Sequence, residues 1–106
     1  MNQITATELK ARMDAGEDVQ LIDVRQPHEA SYASIPGAKL IPLGEILSRT
    51  DELDSSREAV IHCHMGGRSA RAIEALQRSG YEGELTNLAG GITAWSMDVD
   101  PSVPTY

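Results

Sequence analysis

The run EAVIHC (58–63) is apolar and rich in β-branched residues, the strongest strand signal in the chain, and it stops on the only cysteine. Directly after it, His64-Met65-Gly66-Gly67-Arg68-Ser69 leads into a helical stripe of Ala70, Ala72, Ile73, Ala75 and Leu76, closed by Gly80. A strand that feeds at once into a helix cannot return as a hairpin. A strand followed by a helix is one unit of the alternation that implies a mostly parallel sheet.

The same alternation runs through the rest of the chain. Thr5-Ala6-Thr7-Glu8 has the spacing of a capping box, and Leu9 and Met13 share a face, so Ala6 to Ala15 is expected as a helix ending at Gly16. QLIDV (20–24) reads as a strand, PHEASY (27–32) as a helical turn or two, and AKLIP (38–42) as a short strand after the IPG turn. Ile46, Leu47 and Leu53 suggest a loose amphipathic helix over 43–53. ELTNL (84–88) is a last strand and GGITAW (90–95) opens a last helix. Strands alternating with helices predict an α/β fold with a mostly parallel central sheet and helices on both faces. No repeat, linker or low-complexity stretch interrupts residues 1–106, which are read as one domain.

Composition narrows the function classes. No apolar run approaches the ~18 residues of a membrane span, and MNQITATELK lacks the basic-then-apolar pattern of an export signal, so a cytoplasmic protein is expected. A net charge of -7 argues against nucleic acid or an anionic membrane surface as partner. Any bound anion has to be held locally, against the overall field.

With one cysteine there is no internal disulfide, and Cys63 is a free thiol. A lone cysteine closing an apolar strand is ordinarily a small core residue. The glycines and arginine that follow argue instead for a reactive group. In a parallel sheet, ligands bind beyond the carboxyl ends of strands, where Cys63 falls. Successive glycines let the backbone curl so that several N–H groups converge, and the helix start adds its positive dipole end. A sulfur inside that nest is favoured as a thiolate, which is the nucleophilic form. His62 and His64 flank the cysteine, but with His28 far off in sequence the set offers too few metal ligands at workable spacing. No metal and no cofactor are predicted. Asp23 and Arg25, at the end of a strand, are on these grounds alone a surface pair, and Trp95 is a core residue.

Strand, then Cys63-x-x-Gly66-x-Arg68-Ser69, then helix resembles the active-site loop of the rhodanese family of sulfurtransferases. LIDVR (21–25), IPGA (35–38) and NLAGGITAW (87–95) are similar, in order and spacing, to further signatures of that family, so the resemblance spans nearly the whole chain. Together with IPGAKLIPL, the ending DPSVPTY (100–106) is similar to single-domain rhodaneses and to the C-terminal rhodanese domain of E1-like enzymes that activate sulfur carrier proteins.

The resemblance implies a single rhodanese-like domain and a two-step transfer. Cys63 takes a sulfane sulfur from a donor, thiosulfate or a protein persulfide, and passes it on from a persulfide; a sulfur carrier protein is a further candidate partner. His64, Met65, Gly66, Gly67, Arg68 and Ser69 would form the binding loop, with Arg68 bracing it or meeting the anionic donor. Asp23 and Arg25 would lie beside the loop and support it. The alternative is a non-catalytic rhodanese-like binding module. Cysteine phosphatases use a Cys-x5-Arg loop around phosphate, one residue longer than the Cys-x4-Arg found here. Two positions depart from the pattern: His64 stands where relatives often carry Lys or Arg, and Ser34 where many carry histidine.

Overall fold

The computed structural model describes residues 1–106. Five strands, β1 (Asn2–Ile4), β2 (Val19–Asp23), β3 (Lys39–Leu40), β4 (Glu58–His62) and β5 (Leu85–Leu88), form one sheet in the order β1-β5-β4-β2-β3. Every pairing is parallel. The connections carry three α-helices, α1 (Ala6–Asp14), α2 (Pro27–Tyr32) and α3 (Gly67–Arg78), and a fourth, α4 (Gly91–Asp98), follows β5. A 3-10 segment, Leu43–Glu52, joins β3 to β4.

The period of two along the central strands divides the apolar residues between two cores. Ile22 of β2 and Ala59 and Ile61 of β4 face Ala72, Ile73 and Leu76 of α3 together with Ile46 and Leu53. Leu21 and Val60, one position out of step, face Leu9 of α1 and Ile92 and Trp95 of α4. Both faces of β2 and β4 are therefore covered, which is why these strands read as continuous apolar runs.

Local signals set the ends of the elements. Thr5 and Glu8 form the reciprocal capping box, Glu8 N–H to Thr5 Oγ1 at 3.1 Å and Thr5 N–H to Glu8 Oε1 at 3.0 Å, and α1 stops at Ala15 before Gly16, whose φ is +76°. Three expectations need correction. The strand expected over 38–42 is regular only at Lys39 and Leu40: Ile41 N–H still reaches Asp23 O and Leu43 N–H reaches Val24 O, but from Leu43 the chain coils into the 3-10 segment. The amphipathic helix expected over 43–53 is a 3-10 segment kinked at Arg49, where φ is -123°, and only Ile46 within it is buried. β1 has no counterpart in the sequence reading: of its three residues only Ile4 is buried, so there is no alternation to detect. The boundaries of β2, β4 and β5 differ by one residue from expectation, and the last helix opened by GGITAW runs from Gly91 to Asp98.

The strand order also places the functional region. From the carboxyl end of β2 the chain moves outward to β3, whereas from the carboxyl end of β4 it moves the other way, to β5. The adjacent ends of β2 and β4 are thus the switch point at which crevices open in parallel sheets. Asp23 pairs with His62 in register there, and Cys63 is the next residue.

His62 is fully buried with its Nε2 unpartnered, and burial holds its pKa down at about 4 against an ordinary 6.5. Between these two values the unfolded chain binds a proton that the folded one excludes, so stability falls as pH drops from about 6.5 towards 4. Urea unfolding should show a slope of about 1.4 kcal/mol per pH unit from this group alone, a total of about 3 kcal/mol, and His62→Leu should remove it. An unchanged slope in the variant would place the acid sensitivity elsewhere.

Candidate active site

The sulfur of Cys63 lies at the mouth of the β4–α3 connection, on a residue only 1% exposed. Gly66 N–H points at Sγ from 3.1 Å, and Ser69 Oγ stands 3.3 Å from it. Burial pushes the thiol up. The Ser69 hydroxyl and the backbone amides of Ser69, Gly66 and Met65 more than offset that effect and hold the thiol below its ordinary value. The nest expected from the glycines is therefore made of loop amides and the first turn of α3 acting together.

Two glycines make this shape possible. Gly66, immediately before α3, has φ of +118°, a left-handed conformation that turns its N–H back toward the sulfur. Gly91, at the start of α4 with φ of +57°, packs directly on the loop, and a Cβ there would run into the carbonyls of Cys63 and His64. That close approach lets Ile92 N–H reach Cys63 O at 3.0 Å and Thr93 N–H reach His64 O at 3.2 Å.

Around the loop, polar side chains form a connected roof. Arg68 gives both terminal nitrogens to Glu29 of α2, at 2.7 and 2.8 Å, while its charge also acts on Cys63. This bidentate contact, with Gln26 N–H and the Tyr106 hydroxyl, holds the Glu29 carboxyl far below the usual carboxylate range. Arg25 and Asp23 are a fully buried pair, joined at 2.9 and 2.6 Å, and Arg25 also donates to Ala33 O. Tyr106 links the two pairs, accepting from Arg25 at 2.8 Å and donating to Glu29 at 2.8 Å. Its ring stacks on His64, with centroids 4.0 Å apart and planes 10° from parallel, and meets Tyr32 edge-on.

The rhodanese-like domain model matches residues 5–98 of this chain. The chain belongs to the rhodanese-like domain family. It is 40% identical to a protein named sulfurtransferase from Allochromatium vinosum, covering 97% of this chain and 95% of that one. Against the probable adenylyltransferase/sulfurtransferase MoeZ of Mycobacterium tuberculosis the identity is 39% over 97% of this chain but 26% of the relative. Against the chloroplastic rhodanese-like/PpiC domain-containing protein 12 of Arabidopsis thaliana it is 37% over the whole chain and 38% of the relative. The chain thus spans well under half the length of these last two. The crystal structure of a rhodanese-like domain protein from Staphylococcus aureus superposes with a TM-score of 0.85 at 32% identity, covering 100% of this chain and 99% of that one.

Of the loop residues singled out in the sequence, the structure gathers Cys63, Gly66 and Ser69 around the sulfur. It turns the His64 ring to Tyr106, leaves Met65 exposed at the mouth and sets Gly67 at the first turn of α3. Arg68 braces the loop against α2 through Glu29, within coulombic reach of Cys63. Asp23 and Arg25 are buried, not a surface pair. Sequence reasoning did not single out Glu29, Asn87 or Tyr106. Asn87 and Tyr106 stand in the family-like segments NLAGGITAW and DPSVPTY and Glu29 in the Gln26 capping box, but the partners that give them their place in the site are distant in sequence.

Alkylation of Cys63 followed against pH should have its midpoint below the free-thiol value of about 8.5. Gly91→Ala should lose about 2–4 kcal/mol of stability from the left-handed backbone and the overlap with the loop carbonyls, and should move that midpoint up as the loop opens. A midpoint unchanged in a destabilised Gly91→Ala protein would mean that α4 does not hold the nest.

Proposed function

We propose that this chain is a sulfurtransferase that carries sulfur as a persulfide on Cys63. The observation that carries the reading is the depressed, inward-held thiol: a sulfur at a strand end with an amide donor at 3.1 Å, a hydroxyl at 3.3 Å and no side-chain acid beside it to deliver a proton. Membership of the rhodanese-like family supports sulfur transfer, as do the sulfurtransferase names of its relatives.

In the first step the Cys63 thiolate attacks the sulfane sulfur of the donor. An Sγ–S bond forms, the donor S–S bond breaks, and its electron pair leaves with sulfite when the donor is thiosulfate or with a thiolate when it is a persulfide. In the second step a nucleophilic acceptor, cyanide or a thiolate, attacks the outer sulfur and Cys63 leaves as thiolate. This is covalent catalysis divided into two displacements. Loop amides stabilise the charge wherever it sits, on Sγ before transfer and on the outer sulfur after it.

The electrostatics favour a protein persulfide over thiosulfate as donor. Thiosulfate is a dianion approaching a chain of net charge -7. Arg68 and Arg25 are each neutralised by a carboxylate, and position 64 carries an imidazole rather than a fixed cation. Approach of the dianion is opposed at long range, and apart from the loop amides only Arg71, exposed on α3 just beyond the loop and in no ion pair, is left to reverse that.

Intact mass after treatment with a sulfane donor should rise by about 32 Da, one sulfur, in the wild type and not in Cys63→Ala. A binding module would show no gain, and an equal gain in the alanine variant would remove Cys63 from the mechanism. Turnover with thiosulfate and cyanide should be slow, with a high KM. Glu29→Gln, which leaves Arg68 without its neutralising charge, should raise thiosulfate kcat/KM about tenfold at low salt, about 1.4 kcal/mol, with the gain shrinking as salt is added. If the variant gains nothing at low salt, charge does not limit the use of thiosulfate.

A further inference from the structure

Ser69 has one hydroxyl hydrogen and three acceptors within reach of it. Asn87 Oδ1 lies at 2.6 Å, Gly66 O at 3.1 Å and Cys63 Sγ at 3.3 Å. Asn87 sits near the carboxyl end of β5, 5% exposed, and its amide orientation is fixed from the other side, where Nδ2 faces the Gly66 carbonyl at 3.2 Å. A carbonyl accepts and cannot donate, so the atom opposite Gly66 O has to be the amide nitrogen, and the oxygen faces the serine.

The shortest of the three contacts therefore draws the Ser69 hydrogen away from the sulfur. While Cys63 is a thiol this arrangement is self-consistent: S–H donates to Ser69 Oγ, and Ser69 O–H donates to Asn87. Once the thiol proton has left to water, the sulfur becomes the charged acceptor. The single hydrogen then has to choose between a strong neutral contact and a charge-assisted one. When a persulfide forms, the charge moves to the outer sulfur, Sγ becomes neutral, and the hydrogen is released to Asn87 again.

We propose that Asn87 is a positioning residue for the sulfur chemistry: by competing for the Ser69 hydrogen it keeps the Cys63 thiolate less quenched, and therefore more nucleophilic, than the nest alone would leave it. The role rests on the persulfide reading of Cys63, but its immediate consequence is a property of the thiol and needs no sulfur donor. A thiolate loses intrinsic nucleophilicity as its conjugate acid strengthens, with a Brønsted coefficient of about 0.4–0.5, so a nest with every donor aimed at Sγ would hold an abundant but sluggish anion. The charged and titratable groups near the sulfur are committed elsewhere, although Arg68 stays within coulombic reach of it. Arg68 is held by Glu29, His62 is buried against the Asp23–Arg25 pair, and His64 is stacked under Tyr106.

The test is the pH dependence of Cys63 alkylation by iodoacetamide in four full-length proteins: wild type, Asn87→Ala, Ser69→Ala and the double variant. Asn87→Ala should lower the midpoint by about half a unit, since the released hydroxyl now serves the thiolate, and should lower the limiting rate at high pH nearly twofold. Ser69→Ala should raise the midpoint, and in that background Asn87→Ala should shift it by less than half as much. A midpoint that stays, rises, or moves equally in both backgrounds overturns the proposal. If Asn87→Ala does not fold, Asn87→Asp keeps the size and leaves only acceptors. Its carboxylate should raise the midpoint more with Ser69 present than with Ser69→Ala, and an equal rise in the two backgrounds overturns the proposal as well. A merely structural role for Asn87 would change melting temperature without this dependence on Ser69.

Discussion

The contact on which the site depends is between the first turn of α4 and the backbone carbonyls of Cys63 and His64. Ile92 and Thr93 take those carbonyls through their N–H groups, and Thr93 Oγ1 adds a second donor to His64 O. A peptide whose carbonyl is held on one side presents its N–H on the other. With the carbonyls at the start of the loop committed to α4, the amides that follow are free to face the sulfur, and Gly66 completes the turn. The helix can come so near only because Gly91 has no Cβ. A glycine on α4 and a cysteine after β4 are therefore parts of one device, although neither touches the other's side chain.

Above the loop, two arginines are used as struts. Arg25 is fully buried and satisfied by Asp23, Ala33 O and Tyr106, and Arg68 is clamped by Glu29. Buried ion pairs of this kind add little net stability against an apolar replacement, but removing one partner leaves an uncompensated charge at a cost of several kcal/mol. Their value here is geometric. Arg68 is the residue just before Ser69, and its clamp to α2 fixes the first turn of α3 where the hydroxyl and amides must be held within a few tenths of an ångström. The electrostatic consequence is that little positive charge is left over for an approaching anion.

Much of this was legible in the sequence, for local reasons. The α1 capping box, the two-sided apolar strands, the glycine-marked loop and the cysteine at a strand end are each encoded within a few consecutive residues, and the structure places them as their chemistry requires. What stayed hidden is what depends on distance along the chain. Tyr106 reaches Glu29 across 77 positions and Arg25 across 81, and Asn87 reaches Ser69 across 18. β1 is a three-residue edge strand specified by its pairing with β5 rather than by its own pattern. The resemblance to rhodaneses pointed to Asp23 and Arg25 as neighbours of the loop, whereas residue chemistry alone had left them on the surface. The correction follows from burial, which a local reading of two charged residues cannot supply.

The direction in which Arg68 points bears on what the loop is shaped to hold. A cradle for a tetrahedral dianion needs an arginine aimed at the oxygens as well as room for them. Here the loop has only four residues between Cys63 and Arg68, and the guanidinium is clamped by Glu29. What remains facing the centre is a ring of neutral donors, amides and one hydroxyl, of limited number. Neutral dipoles in a small nest stabilise a single, diffuse negative charge without demanding a second one, which suits a thiolate or the outer sulfur of a persulfide. In the proposed persulfide cycle they would also let that charge move by one bond length between steps, since the nearby cation, Arg68, is engaged by Glu29.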